Sequence, residues 1–336
     1  MNSSDQKSER VFVTGANGML GSHICRLLVE RRYTVRAICL KGVSTDTINT
    51  LPIEVLMGDI LDNSFLMDAM KDCEYVIHVA AMTNVWPRRL PFLREVNIEG
   101  TKKVVAVAEQ YGIKRFVHVG SASSFDHGTK LQPGSEHSKY AGWKHGMDYL
   151  DSKYEAQEWL LEKYRKGKFP ALIINPTFMV GAFDSGPSSG QLLINLYKGK
   201  LPGYTSGGKN FVCTRDVATA IVNGLSMGRL GECYIAGNEN LSYKEFFIKA
   251  SDVMRRKFKL NRLPMFLVLM VGAVASVQAR LSGKKPKISY GIAKFSGLNQ
   301  YFSPQKARNE LQMPQTPIET GITEALSWFK EQRYIQ

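Results

Sequence analysis

Between Asp252 and Glu310 the chain has no acidic residue, although twelve of its 44 lysines and arginines fall in that window. The formal charge of +14 over 336 residues therefore comes almost entirely from one C-terminal segment. Cysteine is scarce. The five present (Cys25, Cys39, Cys73, Cys213, Cys233) are scattered, odd in number and without a Cys-x-x-Cys pair. That argues against a disulfide framework or a zinc site and predicts reduced thiols in a cytoplasmic protein. The six histidines show no His-Glu-x-x-His spacing, so no metal is expected. A Gly-x-Ser-x-Gly elbow is also missing, which argues against a Ser-His-Asp hydrolase. Met1 to Arg10 is polar without an apolar core, so no secretory leader is expected.

No apolar run reaches the roughly twenty residues that a bilayer crossing needs. The longest extends from Leu263 through Val277, inside the acid-free segment. Arg255, Arg256, Lys257, Lys259 and Arg262 precede it, and Arg280, Lys284, Lys285 and Lys287 follow. This length predicts a buried or substrate-covering helix with solvated ends. The alternative is a monotopic patch over 255–287 that dips into an anionic membrane, making the protein membrane-peripheral. Nucleic acid is not an expected partner, because the basic residues bracket aliphatic side chains and not aromatic stacking platforms.

What is present is an alternation of strand-like and helix-like segments, in a chain long enough for a large core. Candidate strands are Val11 to Thr14, Thr34 to Leu40, Ile53 to Met57, Tyr75 to Ala80, Arg115 to Val119 and Ala171 to Asn175. Helical patterns cover Gly21 to Arg31, Ser64 to Met70 and Asn97 to Tyr111. Val/Ile-rich strands each followed by a helix predict an α/β fold with a doubly wound parallel sheet. After Pro176 the pattern loosens, and Gly181 to Gly190 reads as loop. Phe211 to Val217 and Glu232 to Ala236 are expected to return to the sheet. The expected division is a nucleotide-binding domain over 1–180 and 209–237, with a smaller, discontinuous substrate-binding domain over 181–208 and 238–336.

Gly15, Gly18 and Gly21 follow the first strand and open the first helix. In that context they predict a dinucleotide-binding turn, with the pyrophosphate met by amides at the helix N-terminus. The end of the second strand, Thr34 to Lys41, has no Asp or Glu to hold the ribose hydroxyls of NAD. Arg36 and Lys41 could pair with an extra phosphate, so NADP(H) is the expected cofactor and NAD the alternative. Asp59, just after the third strand, is placed to meet the adenine amino group.

Two Tyr-x-x-x-Lys pairs occur, Tyr140/Lys144 and Tyr149/Lys153. Residues four apart on a helix share a face, so a lysine ammonium can assist a phenol whose free pKa is about 10. The segment of the first pair contains Gly142 and Gly146, at about 1 kcal/mol each inside a helix, whereas the second runs on without glycine to Gly167. Tyr149 and Lys153 are therefore the expected catalytic pair, with a serine at the end of the fifth strand to polarise the substrate oxygen.

These motifs together resemble the extended short-chain dehydrogenase/reductase family. Thr14-Gly15-Ala16-Asn17-Gly18-Met19-Leu20-Gly21 is similar to its TGxxGxxG turn. Gly58-Asp59-Ile60, His78-Val79-Ala80-Ala81 and Asn97-Ile98-Glu99-Gly100-Thr101 match further signatures. Tyr149 to Lys153 resembles YxxSK, and Asn175-Pro176-Thr177 its proline after the sixth strand. The likeness continues through Arg215-Asp216-Val217-Ala218 and Phe302 to Ala307, covering nearly the whole chain. It implies a Rossmann-type fold and adds Ile60, Ala80, Ala81, Asn97, Lys153 and Pro176 to the cofactor-binding set of Gly15, Asn17, Gly18, Met19, Leu20, Gly21, Arg36, Lys41 and Asp59. Counting from the strand places Ser121 where the family has its catalytic Ser or Thr, with Ser123 as runner-up.

Asn175-Pro176-Thr177-Phe178-Met179-Val180-Gly181 lacks the arginine of the RxxNxYGP-like segment usual in nucleotide-sugar epimerases. It is similar to the dihydroflavonol reductase and 3β-hydroxysteroid dehydrogenase branch, which implies a hydrophobic small-molecule substrate. Val35-Arg36-Ala37 also resembles the NADPH-using reductases, although Leu40 stands where a second arginine is common. The expected reaction is reduction of a ketone, or oxidation of a secondary alcohol, by Tyr149, Lys153 and Ser121. The alternatives are a nucleotide-sugar epimerase or dehydratase with tightly held NAD, and a non-catalytic dinucleotide sensor or membrane-associated binding protein. A homodimer is left open.

Overall fold

In a computed structural model of the chain, residues 9–286 and 288–336 are described. The expectations for Met1 to Ser8 and Lys287 lie outside them. Seven parallel strands form the main sheet: β1 (Arg10–Thr14), β2 (Thr34–Cys39), β3 (Glu54–Met57), β4 (Tyr75–His78), β5 (Arg115–Val119), β6 (Ala171–Pro176) and β9 (Cys233–Ala236). Their spatial order is β3-β2-β1-β4-β5-β6-β9. Helices cover both faces, so the central strands are buried on both sides instead of alternating, with polar residues such as Thr14, His78 and Asn175 toward their carboxyl ends; every residue of β6 is buried. The chain winds outward from β1 to β3 and then returns to β4 on the other side. That reversal opens a crevice at the carboxyl ends of β1 and β4, where Thr14 and His78 stand in register.

One face carries α1 (Met19–Glu30) and α7 (Thr214–Asn223). Ile24, Leu28, Val217 and Ile221 of these helices pack with Val11, Val35 and Ile77 of the sheet. The other carries α2 (Asn63–Met70), α4 (Thr101–Gln110) and α5 (Asp148–Gly167), packed around Phe12, Leu66, Val104, Phe116 and Leu160. The helix expected at Asn97 begins earlier, as α3 (Pro91–Arg94), and passes through a π-helical turn over Glu95–Gly100 before becoming α4.

A second, smaller sheet joins β7 (Phe178–Val180), β8 (Gly208–Cys213), β10 (Glu239–Ser242) and β11 (Asn299–Gln300). It packs with α6 (Gln191–Tyr197), α8 (Tyr243–Met254) and α12 (Ile318–Glu331) around Phe211, Phe246 and Phe329. Of the two segments expected to return to the main sheet, Glu232 to Ala236 does so as β9. Phe211 to Val217 does not: its first three residues end β8 and the rest open α7. The buried Asn210 holds β8 in the second sheet, where its amide donates to Asn240 Oδ1 and the Phe302 carbonyl. Short apolar runs do not distinguish a strand from a strand-to-helix junction by periodicity.

The acid-free segment forms α9 (Met265–Ser282) and α10 (Tyr290–Ser296), and α11 (Gln305–Leu311) returns the chain to the main core. The expectation of a buried helix is not met. In α9 only Val268, Gly272 and Ala279 are buried, because the helix packs against α10 along one narrow side and no described residue covers the other.

Candidate active site

The glycine turn has the shape its sequence predicts, and each glycine has a different reason. Gly15 has φ +68°, and a Cβ there would lie 2.8 Å from Ala80 Cα. A Cβ on Gly21 would sit 2.2 Å from the Gly15 carbonyl oxygen, so glycine lets α1 settle against the turn. At Gly18 a Cβ would meet only the Gly15 oxygen, at 3.5 Å, and the residue is exposed. Its backbone therefore stays open at the start of α1, a helix with no acidic residue in its first turn. The amides of Met19 and Leu20 belong to that first turn, which has no intrahelical acceptors for its donors. Asn17 ties the turn to the loop after β2: its amide donates to the Ser44 carbonyl at 2.8 Å, and its own carbonyl accepts from Thr47 Oγ1 at 2.8 Å. These residues fit a dinucleotide pyrophosphate.

Around the turn, the structure separates Arg36 from Lys41. Arg36 lies mid-strand, and its guanidinium pairs with Glu54 at 2.7 Å and donates to the Ala69 and Lys71 carbonyls. Those carbonyls end α2, at the edge of the sheet away from the glycine turn, so Arg36 does not join the site. Lys41, two residues beyond β2, is exposed at the correct edge, where its charge helps hold the Asp62 carboxyl below its usual range after the Phe65 amide and Ser64 hydroxyl bonds. Asp59 is half-buried at the end of β3 and accepts from the Leu61 amide at 2.9 Å. Ile60 is buried beneath Gly100, and Ala80 and Ala81 are half-buried beyond β4.

A directed chain of hydrogen bonds fixes this end of the sheet. Thr14 Oγ1 accepts from the Val79 and Ala80 amides at 3.1 Å each, so its own proton goes to His78 Nδ1 at 2.8 Å. His78 is then the Nε2-H tautomer, donating at 3.0 Å to Thr101 Oγ1, which donates in turn to the Asn97 carbonyl. Burial, followed by the Lys153 charge, pushes His78 down to about 3, so the ring stays neutral. His118 lies 5.4 Å away and is also pushed well down by burial. Asn97, inside the π-helical turn, is a positioning residue. Its side chain bonds both the amide and the carbonyl of Met82 and donates to Ser152 Oγ on α5 at 3.0 Å. It thereby joins the loop after β4 to the helix that carries Tyr149.

Tyr149 is the second residue of α5. The helix start is set by Asp148, whose carboxylate accepts from the Leu90 amide at 2.6 Å and from Arg89 at 2.8 Å. Ser121, the second residue after β5, hydrogen-bonds the Tyr149 phenol. Ser121 Oγ also contacts Ser123 Oγ at 2.7 Å. The Ser121 amide donates to Asn175 Oδ1 at 2.9 Å, an approach possible because Gly120 has no Cβ to strike that oxygen. One turn along α5, Lys153 is buried and its Nζ donates to the Val119 carbonyl at 2.8 Å. Burial lowers the Lys153 ammonium to about 8. Burial also pushes the Tyr149 phenol above its ordinary value, outweighing the Ser121 bond. That direction is opposite to the lysine-assisted lowering expected from sequence.

The competing pair is occupied elsewhere. Tyr140 donates to Asp151 Oδ1 at 2.6 Å and stacks on Tyr154 at 4.1 Å, and burial followed by the Asp151 bond drives its phenol far up. It lines a separate cleft of about 230 Å³ behind α5, which Tyr149 does not touch. Lys144 is exposed in a 3-10 turn over Gly142–His145 and faces Trp143. Past the buried Pro176, Phe178 on β7 and Lys209 on β8 belong to the second sheet. Lys209 Nζ donates to Gln300 Oε1 at 2.9 Å, lies 5.3 Å from the Phe178 ring centre and is lowered to about 8 by burial. All five cysteines are free and buried, and among the described residues no group of three His, Cys, Asp or Glu could hold a metal.

Thr14, His78, Asn175 and Ser152 were inside recognised motifs without being assigned a role. Their partners lie 23 to 66 residues away in sequence, and only the hydrogen-bond donors and acceptors of the folded chain connect them.

The NAD dependent epimerase/dehydratase family profile matches residues 11–237. A protein of Synechocystis sp. named as a dihydroflavonol 4-reductase is 28% identical over 330 residues, covering 97% of this chain and 96% of the relative. The sterol demethylase protein B of Methylococcus capsulatus is 24% identical, over 96% and 99% of the two chains. Among solved structures, that of gox2253 gives a TM-score of 0.85 at 28% identity, covering 98% of this chain and all of that one. The UDP-glucose 4-epimerase of Thermotoga maritima gives 0.77 at 17% identity over 96% and 99%, a likeness of fold.

Proposed function

Because the chain belongs to the NAD-dependent epimerase/dehydratase family and is an NAD(P)-dependent oxidoreductase of that type, we propose that it reduces the ketone, or oxidises the secondary alcohol, of a hydrophobic small molecule with NADP(H). The observation that carries this reading is the convergence of Ser121, Tyr149 and Lys153 at the carboxyl end of β5, beside the open glycine turn. The turn residues Gly15, Asn17, Gly18, Met19, Leu20 and Gly21 hold the dinucleotide, and Asp59, Ile60, Ala80 and Ala81 border its adenine half. When bound, the nicotinamide supplies or takes up the hydride. Ser121 donates to the substrate oxygen and orients it. Tyr149 gives that oxygen its proton in reduction and removes it in oxidation. A phenol kept neutral by burial is the proton-bearing form that reduction requires. Lys153, held by the Val119 carbonyl one turn along α5 from Tyr149, contributes positive charge that favours the phenolate once the proton has left.

The NADP preference rests on the absence of a carboxylate from Thr34 to Lys41, with Lys41 as the nearby cation. The hydrophobic substrate rests on the apolar segment after β6 and on relatives named for flavonol and sterol chemistry. Replacing Tyr149 with Phe is expected to lower kcat at least about 1,000-fold while NADPH affinity changes less than about twofold, a loss of the acid-base step without loss of the cradle. Turnover that survived in this variant, measured as NADPH oxidation across steroid-like and flavonoid-like ketones, would sink the assignment.

A second reading has one observation in its favour. Lys209 is a shielded cation with a neutral partner, a ready counter-ion for a phosphate-bearing substrate such as a nucleotide sugar. Under that reading the cofactor co-purifies, is not consumed, and Lys209→Met raises KM for the sugar nucleotide. Net NADPH oxidation by a ketone decides against it.

A further inference from the structure

We propose that α9 is a monotopic membrane contact, seated in the plane of an anionic lipid surface. Phe266, Met270, Val274, Val277 and Leu281 recur at steps of four, four, three and four residues, so they share one face. That face is opposite the packed residues Val268, Gly272 and Ala279. A surface helix of a soluble protein is polar there. Here Phe266 is 65% exposed, Val274 58% and Leu281 84%. The helix is apolar on both sides, yet among the described residues only one side has protein against it.

The charges around it identify the occupant. Arg255, Arg256, Lys257, Lys259 and Arg262 are exposed before the helix. Arg280, Lys284 and Lys285 are exposed at its end. Among the described residues none of these eight is paired with a carboxylate. Apolar side chains between two unpaired cationic clusters complement a surface with an acyl interior and anionic headgroups. A second copy of this chain would bring the same positive charge to the contact and repel it.

The helix is long and apolar enough to cross a bilayer by length and composition. Its contacts favour the in-plane arrangement. α10 packs along it, with Gly272 beneath Ala293 and Tyr290, and the Tyr290 amide bonded to Ser276 Oγ at 2.9 Å. A spanning helix would also carry one of its two cationic clusters to the far side, against the usual bias of positive charge to one side. α10 in turn reaches the catalytic cleft: Gly291 lies against Met147, the residue before α5, and Phe295 lies 4.3 Å from the His145 ring. One helix separates the lipid face from the site.

The test is co-sedimentation of the full-length protein with vesicles of phosphatidylcholine alone or with about one-third phosphatidylserine. Association is expected with the anionic vesicles and at least about tenfold less with neutral ones. Raising salt from about 0.1 to 1 M, which shortens screening from about 10 to 3 Å, is expected to weaken it. The exposed double variant Phe266→Glu/Val274→Glu and the quadruple variant Lys257→Gln/Lys259→Gln/Lys284→Gln/Lys285→Gln are each expected to lose at least about tenfold in partitioning, with thermal midpoints unchanged. No association of the wild-type protein with anionic vesicles overturns the proposal. So does association that Phe266→Glu/Val274→Glu retains. Light scattering that shows this double variant splitting a wild-type dimer, with no vesicle binding, assigns the face to a second copy and overturns it as well.

Discussion

Lys153 carries its charge into a buried place with one hydrogen-bond partner, the Val119 carbonyl. Its ammonium is held at about 8, against 10.5 for the free side chain, so below pH 8 the folded state bears the whole cost of the charge. At one pKa unit per 1.36 kcal/mol that cost is about 3 kcal/mol. The folded protein releases the proton before the unfolded chain does, so this penalty fades as pH rises from about 8 to 10.5. Replacing Lys153 with Met removes the penalty but leaves the Val119 carbonyl without its donor, which returns about 1 kcal/mol. The variant is expected to be more stable by about 2 kcal/mol at pH 7, the gain shrinking above pH 8, and to be inactive. Urea unfolding across that pH range reads both signs. Arg36 and Lys41 make the complementary case. Arg36→Ala breaks an ion pair and two charge-assisted bonds, so it is expected to cost about 2 kcal/mol without altering the NADPH-to-NADH preference. Lys41→Glu is expected to shift that preference toward NADH by at least about tenfold at unchanged stability, with both read from kcat/KM for the two cofactors. Sequence placed both cations near the second strand. It could not show which way a long flexible side chain turns, because the acceptors that decide it, Glu54, Ala69 and Lys71, come from β3 and the end of α2.

The first turn of α1 and the π-helical turn before α4 are the elements that shape the site, and they differ in how they can be tested. A Cβ on Gly18 would make only an ordinary contact with the Gly15 oxygen, whereas one on Gly21 would collide with the Gly15 and Ala16 backbone. Gly18→Ala is expected to fold with nearly wild-type stability and lose at least about tenfold in cofactor affinity, because the methyl occupies the approach of the pyrophosphate. Gly21→Ala is expected to lose at least about 3 kcal/mol, since α1 must move away from the turn before any ligand is involved. Thermal unfolding without ligand separates the two. This glycine logic was legible in the sequence because the close approach that demands Gly21 is local, its Cβ position falling on Gly15 and Ala16, although the turn is also tied to Ile38, Ser44, Thr47 and Ala80. The main-sheet strands were legible for a related reason: strands covered on both faces are written as Val/Ile runs. The π-helical turn was not, because its extra residue is set by Asn97 reaching Met82 and Ser152 on different elements. The placement of Phe211 to Val217 differs because the apolar run stops at Cys213, and Thr214, Arg215 and Asp216 already open α7. The exposure of α9 was misread because an apolar run states what its side chains avoid and not whether protein or lipid provides the cover.

At the scale of the whole molecule, the two sheets are tied together by the order in which the chain visits them. α7 and α11 come after segments of the second sheet, yet Val217, Ile221, Ala307 and Leu311 lie in the same core as Val11 and Ile24 of the first. The chain thus returns twice to the nucleotide-binding core, and neither sheet is completed by one continuous stretch. Such interleaving argues for unfolding as one unit, in which ligand bound at one edge stabilises the whole. By mass action a ligand at about 100 times its Kd adds about 2.7 kcal/mol. NADPH at that excess is therefore expected to raise a single thermal transition, and NADH at the same concentration to raise it less. Tyr149→Phe, which leaves the cradle intact, is expected to keep the NADPH shift, whereas Gly18→Ala, with affinity at least about tenfold weaker, is expected to keep no more than about half of it. Differential scanning calorimetry that resolved two transitions, with only one moved by NADPH, would show that the interleaved segments do not couple the sheets. The residue-level assignments would then stand while this account of the molecule fell.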